Sequence, residues 1–410
     1  MRFHVLGLGP LGVLIAYHLR AASRPVTLVY KTYKQARTSH TRGKGAVCVE
    51  ARGVLQRCSG FEYEVVHKID ESGVGVVYSP NLTRKQMRSY VAPTEDIHTR
   101  PIDSLIVTTR PNYTAMALSH LLPRLNASST IVLLQDGMGI LEELVQNVFR
   151  NPGTRPNFIL ASNTNQAWFK DSLHVVHTKH GAIDFGVVSD HRTRDFEASL
   201  ADESKPTHER QLNLDDITRP GDASHEQYRT LRETVAALSS LEALGARWCS
   251  MADAQVAVRR KLVVDAVVNP LTAILGCRNG ALFRDWGSKN IMRNVCKEAS
   301  DVFRAQLEHE TGSYLASLPP NMDKSQVPLD RMPPQLEAEN LVNEVRRVAV
   351  RQGNISSTLA DIRHGRRTEI QYLNGYLVAL GEKYGVPTPV NATLWHMIRM
   401  RSAVPIDQPM

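Results

Sequence analysis

Long apolar runs are missing from this 410-residue chain. No apolar run of about 18 or more residues without charges occurs, so no transmembrane helix is expected. Cysteine is sparse: Cys48, Cys58, Cys249, Cys277 and Cys296 are an odd number with no CxxC spacing. That argues against a disulfide framework and a zinc site, and points to a reducing compartment. No block of consecutive Lys or Arg stands out, although the formal charge is +8; basic residues are scattered as pairs such as Arg259-Arg260 and Arg366-Arg367. This balance suits an enzyme whose ligands are a polyphosphate and a carboxylate better than a binder of nucleic acid or membrane. Internal repeats and heptads are lacking. Met1-Arg2-Phe3-His4-Val5-Leu6 runs straight into a glycine motif, which leaves no room for a signal or transit peptide. The cytosol is the expected compartment, with the mitochondrion as the alternative.

Length and composition (42% hydrophobic, 22% charged) describe a globular protein of two domains. Strand-like apolar runs at 2–6, 26–30, 104–108 and 130–134 alternate with helical patterns at 10–22 and between the last two strands. Strand–helix repetition of this kind predicts a parallel, doubly wound sheet. Residues 157–186 add strand signals and a turn at Lys179-His180-Gly181. Then the composition shifts. Residues 189–226 are rich in Asp, Glu, Arg, Ser and His, which predicts a solvated, partly disordered insertion at a domain boundary. Beyond 227 the signals are helical, at 227–243, 252–276, 289–312, 335–351 and 366–384, with a break at Pro319, Pro320, Pro328, Pro333 and Pro334. The expected organisation is an α/β domain over 1–188, a polar linker over 189–226 and an all-α domain over 227–404.

Gly7-Leu8-Gly9-Pro10-Leu11-Gly12 follows a strand and opens a helix, the context a dinucleotide-binding Rossmann loop requires. Gly7 permits the turn, Gly9 lets backbone approach a pyrophosphate, and Gly12 lets helix pack on strand. The helix N-terminus offers N–H groups to the phosphates. An acidic residue after the second strand would select NAD; this chain has Tyr30-Lys31-Thr32-Tyr33-Lys34 there. Lys31 is the better of the two lysines for a 2′-phosphate, and NADPH is the expected cofactor.

Residues 256–276 form a helix apolar on most sides, against which Lys261, Asp265 and Asn269 stand out at spacings of four. Burying an ammonium and a carboxylate without purpose costs several kcal/mol, so the stripe is expected to line a cleft; a structural ion pair is the competing reading. Pro270 is expected to kink the helix and open carbonyls to that cleft. Near the C-terminus, Asn354-Ile355-Ser356-Ser357 reads as a helix cap ahead of Thr358-Leu359-Ala360-Asp361-Ile362. Glu369 reads as a residue entering the next helix, where the helix dipole alone would explain it.

With these residues in hand, the chain resembles the ketopantoate reductase family, which reduces 2-dehydropantoate to pantoate with NADPH. Four pieces carry the likeness: Gly7 to Gly12; Gln135-Asp136-Gly137-Met138-Gly139; Lys261 with Asn269-Pro270-Leu271-Thr272-Ala273 and Asn279-Gly280; and Asn354-Ile355-Ser356-Ser357 with Asp361-Ile362 and Thr368-Glu369-Ile370. The resemblance implies a Rossmann domain, a helical domain and an active site between them. It makes Lys261 the general acid toward the ketone oxygen, and Glu369 the residue that binds the substrate hydroxyl and tunes that lysine. Asn269, Asn354 and Ser357 would hold the keto acid, with Asp265 beside them. Arg110 and Asp136 join the glycine loop and Lys31 on the cofactor side. No metal is implied, and the expected state is a monomer or homodimer.

Three positions depart from the family. Asp136 and Asp265 stand where it has asparagines, and Arg259 stands where it usually has an aromatic residue. An ionised carboxylate only accepts hydrogen bonds, whereas an amide also donates. Two added negative charges should weaken an anionic substrate and raise the pKa of Lys261. Reduction of a different carbonyl compound is therefore an alternative activity. A catalytically lapsed cofactor-binding scaffold, with RNA as one conceivable partner, is a third reading, supported by the basic charge and the polar insertion.

Overall fold

The computed structural model describes residues 1–43, 45–66, 100–192, 194–318, 331–349 and 354–404. They form two compact units, one of Met1–Gln135 with Leu141–Gln255 and one of Asp136–Ile140 with Val256–Met410.

In the first unit, β1 (Phe3–Leu6), α1 (Pro10–Ala21), β2 (Val26–Tyr30) and α2 (Tyr33–Gly43) come first. They are followed by β3 (Ala46–Ala51), β4 (Val54–Ser59), β5 (Glu62–Val65), β6 (Ser104–Val107), α3 (Pro111–Leu121), β7 (Thr130–Leu133) and α4 (Ile140–Asn147). Next are β8 (Asn157–Asn163), β9 (Gln166–Asp171), β10 (His174–Lys179), β11 (Ile183–Val187), a short α5 (Leu214–Ile217), α6 (His225–Ser239) and β12 (Ala246–Trp248). The main sheet has the order β12-β11-β8-β7-β6-β1-β2-β5 and is parallel except where β11 meets β8. Every residue of β1, β2, β6 and β7 is buried, as a parallel sheet covered on both faces demands. A second sheet, β4-β3-β10-β9, pairs β3 with β10 in parallel across more than a hundred residues.

The polar segment 189–226 departs from expectation. It is folded. Phe196 and Ile217 are buried in the same core as Tyr228 and Leu231 of α6. Its polar side chains satisfy its own backbone: Asn213 and Asp216 form a reciprocal cap on α5, and Ser199 N donates to Asp216 at 3.1 Å. Two well-placed apolar anchors and local caps suffice where bulk composition suggests disorder. The expected boundary at 227 is corrected with it, because α6 and the chain up to Gln255 belong to the first unit.

The second unit is helical: α7 (Met251–Leu275, from Val256 onward), α8 (Trp286–Ser317), α9 (Ala338–Ala349), α10 (Ser357–Arg363), α11 (Asn374–Tyr384) and α12 (Pro389–Ala403). Pro319, Pro320 and Pro328 of the expected break lie outside the described residues, as do the last two positions of the expected 335–351 helix. The helix expected over 366–384 is shorter than read: a 3-10 turn at Ile370–Tyr372 precedes α11, and Glu369 lies outside it.

The expected opening of carbonyls to a cleft at Pro270 is also corrected. α7 continues through the proline, and the carbonyl of Ala266, which loses its helical partner there, accepts from Asn374 Nδ2 at 2.9 Å. The same amide donates to Asn391 Oδ1 at 3.0 Å, and Glu298 accepts from Val390 N, Asn391 N and Asn391 Nδ2 at 2.8–2.9 Å. The carbonyl is thus satisfied inside the fold rather than opened to a ligand. Asn374→Leu is expected to strand it and to destabilise the second unit by about 1–3 kcal/mol, measurable by urea unfolding.

Candidate active site

In the first unit the glycine loop closes β1 onto α1 beside β6. Gly7 has φ +97°, and a Cβ there would collide with the Thr108–Thr109 backbone; one on Gly12 would collide with Gly7 O. Gly9 is different: a Cβ on it would meet nothing within 4 Å. Two glycines are therefore required by packing, and the third leaves open space at the N-terminus of α1, where Pro10 opens the helix without a side-chain cap. Leu8 and Leu11 pack against the core. Thr108 Oγ1 donates to Gly7 O and ties the loop to β6. The strand order places this loop where connections leave β1 and β6 in opposite directions, the position at which open α/β sheets bind ligands.

Lys31 follows β2, exposed, with its ammonium 5.5 Å from the centre of the Tyr113 ring on α3. Residues 31–43 contain Lys31, Lys34, Arg37 and Arg42 and no carboxylate. Arg110 is the N-cap residue of α3, directly after β6 and half-buried.

In the second unit the spacing of four along α7 does produce one polar face. Lys261 Nζ donates to Asp265 Oδ2 at 3.1 Å and also to Asp136 Oδ1. Burial alone would lower the lysine, but the Asp136 and Asp265 carboxylates outweigh it and hold its pKa well above the usual lysine range. One turn on, Asn269 Nδ2 donates to Ser357 Oγ at 3.2 Å, and Ser357 Oγ donates to Glu369 Oε1 at 2.8 Å. Asn269 is buried, and Glu369 is only 1% exposed, so the reading of Glu369 as a solvated helix-entry residue is corrected. Ser356 is the true cap of α10, accepting from Leu359 N at 3.2 Å and from Thr272 Oγ1 at 2.7 Å. Asn354 joins through its backbone carbonyl, which accepts from Asn279 N at 3.0 Å.

Asp136, expected on the cofactor side, places its carboxylate on Lys261. Its segment is pinned to the turn after Glu369: Met138 N donates to Tyr372 O at 2.9 Å, and Gly137, at φ +88°, has no room for a side chain against Tyr372. Sequence reasoning missed Tyr372 and the Thr272–Ser356 bond; only the glycines at 137 and 139 hinted that another backbone comes close. Among the described residues no group of three or more His, Cys, Asp or Glu is placed to hold a metal ion, and no helix is long and apolar enough to cross a membrane.

Residues 3–190 match the family described as "Ketopantoate reductase PanE/ApbA", and residues 253–402 match "Ketopantoate reductase PanE/ApbA C terminal". The chain belongs to the ketopantoate reductase family. It is accordingly an oxidoreductase acting on a keto group. A relative from Schizosaccharomyces pombe named "Probable 2-dehydropantoate 2-reductase" is 24% identical over 403 residues, 97% of this chain and 95% of that one. Among solved structures, the PanE/ApbA family ketopantoate reductase from Ralstonia eutropha JMP134 has TM-score 0.62 at 18% identity, covering 98% of this chain and 99% of that one. D-mandelate dehydrogenase, solved with NADH and anilino(oxo)acetate, has TM-score 0.64 at 14% identity over 98% and 99% of the two chains. These two likenesses establish the ketopantoate reductase fold and nothing finer.

Proposed function

We propose that the chain reduces 2-dehydropantoate to pantoate with NADPH, a step of pantothenate synthesis, in the cytosol. The observation that carries this reading is Lys261, a charged lysine on the polar face of α7, about two turns before the Asn269 that begins the Asn269–Ser357–Glu369 chain. NADPH, when bound, supplies the hydride. Lys261 holds a proton for the ketone oxygen, and its charge stabilises the alkoxide as it develops. Asn269, Asn354 and Ser357 bind the substrate's polar groups, and Glu369, through Ser357, receives the hydroxyl. The first unit fits a dinucleotide: open space over Gly9, free helix-terminal geometry at Pro10 and a basic, carboxylate-free segment after β2. Steady-state NADPH oxidation with 2-dehydropantoate tests the reading directly.

NADPH is expected to bind more tightly than NADH. Lys31→Glu should weaken NADPH binding by about tenfold or more, the worth of a charge-assisted contact turned repulsive, with little change for NADH. Fluorescence titration of both cofactors measures this, and equal affinities in the unmodified protein would refute it.

A second reading is favoured by one observation. Lys261 meets two carboxylates where an anionic substrate needs a free cation, which supports a different carbonyl compound as substrate. The scaffold reading loses ground, because the segment 189–226 that supported it is packed into the core of the first unit.

A further inference from the structure

Pro270 deprives α7 of one bond of its ladder, the one that would run from the N–H of residue 270 to the Ala266 carbonyl. That gap falls between two groups of polar residues. Lys261 lies before Ala266, whereas Asn269 and Thr272, which reach Ser357 and Ser356, lie after it. A helix that lacks a ladder bond at a proline bends more easily there, and sharp bends in helices cluster at such places. Something outside α7 has to set the angle, and with it the distance from Lys261 to the Asn269–Ser357 pair.

Asn374 holds the Ala266 carbonyl, and Asn374 is itself oriented from farther away. Both groups facing its amide nitrogen are acceptors, the Ala266 carbonyl at 2.9 Å and Asn391 Oδ1 at 3.0 Å. Its own Oδ1 is buried and has no hydrogen-bond partner among the described residues, so the side chain is placed for its two N–H donors. Asn391 presents its Oδ1 because its Nδ2 is committed to Glu298 Oε2 at 2.8 Å. Glu298 of α8 is anchored in turn by Val390 N and Asn391 N at the start of α12, where Thr388 supplies no side-chain cap. Each member thus fixes the orientation of the next, from carboxylate through two amides to the carbonyl. All three side chains are buried, Asn374 and Asn391 completely. Asn374 is also the first residue of α11, five positions after Glu369, so one short segment carries both the Glu369 contact and the hold on α7.

We propose that Glu298, Asn391 and Asn374 are positioning residues for the reaction: together they set the angle at which α7 passes Pro270, and so hold Lys261 at working distance from Asn269 and Ser357. The proposal rests on the reductase reading above, in which Lys261 protonates the ketone oxygen while Asn269 and Ser357 hold the substrate. The three act through α7 rather than on the substrate. A proton donor must lie within hydrogen-bond reach of the oxygen it serves, and a misplacement on the order of an ångström costs up to about a hundredfold in rate. A purely structural network would instead lower stability and leave the turnover of the folded enzyme alone.

The test is a cycle of Asn374→Leu and Pro270→Ala, since alanine at 270 returns a backbone N–H to the Ala266 carbonyl and makes the Asn374 donor dispensable. With 2-dehydropantoate and NADPH, Asn374→Leu alone should lower kcat by about tenfold or more, with a smaller change in KM. In the Pro270→Ala background the same substitution should lower kcat by less than about threefold. Glu298→Gln should cost less than Asn374→Leu, and the two together no more than Asn374→Leu alone, because they act in one chain. Rates are taken well below each variant's unfolding midpoint, and NADPH binding checks the first unit. Hydrogen exchange of the α7 amides gives a readout that needs no turnover: those following Ala266 should lose protection in Asn374→Leu and regain it when Pro270→Ala is added. Lost protection with unchanged kcat would make the network structural and overturn the proposal. An equal loss of kcat in both backgrounds, or a fully additive loss with Glu298→Gln, would overturn it as well, and each would leave the reductase reading standing. A native protein that binds NADPH and reduces no 2-dehydropantoate would overturn that reading, and the proposal with it.

Discussion

Lys261→Ala is expected to lower turnover by about two to four orders of magnitude, the loss typical when a positioned acid or charge stabiliser is removed. NADPH binding should persist, because the glycine loop and Lys31 belong to the first unit and Lys261 to the second. The variant does a second thing. It leaves Asp136 and Asp265 facing the same space without the cation that both of them bind. Like charges left close together repel, which costs stability while both are ionised. Lys261→Ala should therefore be less stable than the native protein at pH 8 and recover part of that loss as pH falls. Lys261→Met with Asp136→Asn and Asp265→Asn removes the repulsion and should restore stability without restoring turnover. That contrast separates chemistry from folding. Near-normal turnover in Lys261→Ala would make the whole stripe structural.

The native pH–rate profile bears on the same lysine. Its pKa is raised in the fold, so its charge is fully present at neutral pH and is lost only as pH rises through a folded value above the usual lysine range. No alkaline limb from Lys261 is expected below about pH 10. Asp265→Asn removes one of the two carboxylates and should draw that limb downward.

Much of this arrangement is legible in the sequence where the information is local. The apolar runs of β1, β2, β6 and β7 and the glycine loop announce a parallel sheet because each strand must be buried on both faces. The polar stripe is legible because residues four apart share a helix face. What is not legible depends on partners far along the chain. Asp136 meets Lys261 across 125 residues, and Asn374 meets the Ala266 carbonyl across 108. Nothing in a run of Asp, Arg and Ser shows that Phe196 and Ile217 will be buried, since two anchors scarcely change the composition of the segment. Glu369 looks like a helix-entry residue until the 3-10 turn behind it and the Ser357 hydrogen bond are seen.

The largest expected loss of stability comes from Arg124, inside the first unit. Its guanidinium grips Glu64 of β5 with two bonds, at 2.8 and 3.3 Å, while its Nε donates to Arg100 O at 2.9 Å. His4 of β1 reaches the same carboxylate at 3.6 Å. Arg124, Glu64 and His4 are all buried. Burial alone would raise the Glu64 carboxyl, but the His4 and Arg124 contacts outweigh it and hold it down at about 2. A depressed carboxyl contributes stability above its unfolded pKa of about 4.3, and that contribution drains away as pH falls toward 2. Arg124→Ala breaks the pair from one side and leaves a buried carboxylate facing only His4. The expected cost at pH 7 is about 3–5 kcal/mol, read as a drop in the urea midpoint. Part of it should return near pH 4, where Glu64 can now protonate, so the native protein and the variant should converge on acidification. Arg124→Met with Glu64→Leu replaces the pair by apolar groups of similar reach and should lie much closer to the native stability, since the desolvation cost of both charges disappears with their attraction. If Arg124→Ala instead costs less than about 1 kcal/mol, the range of exposed ion pairs, water must reach Glu64 and the carboxylate was never dependent on the arginine.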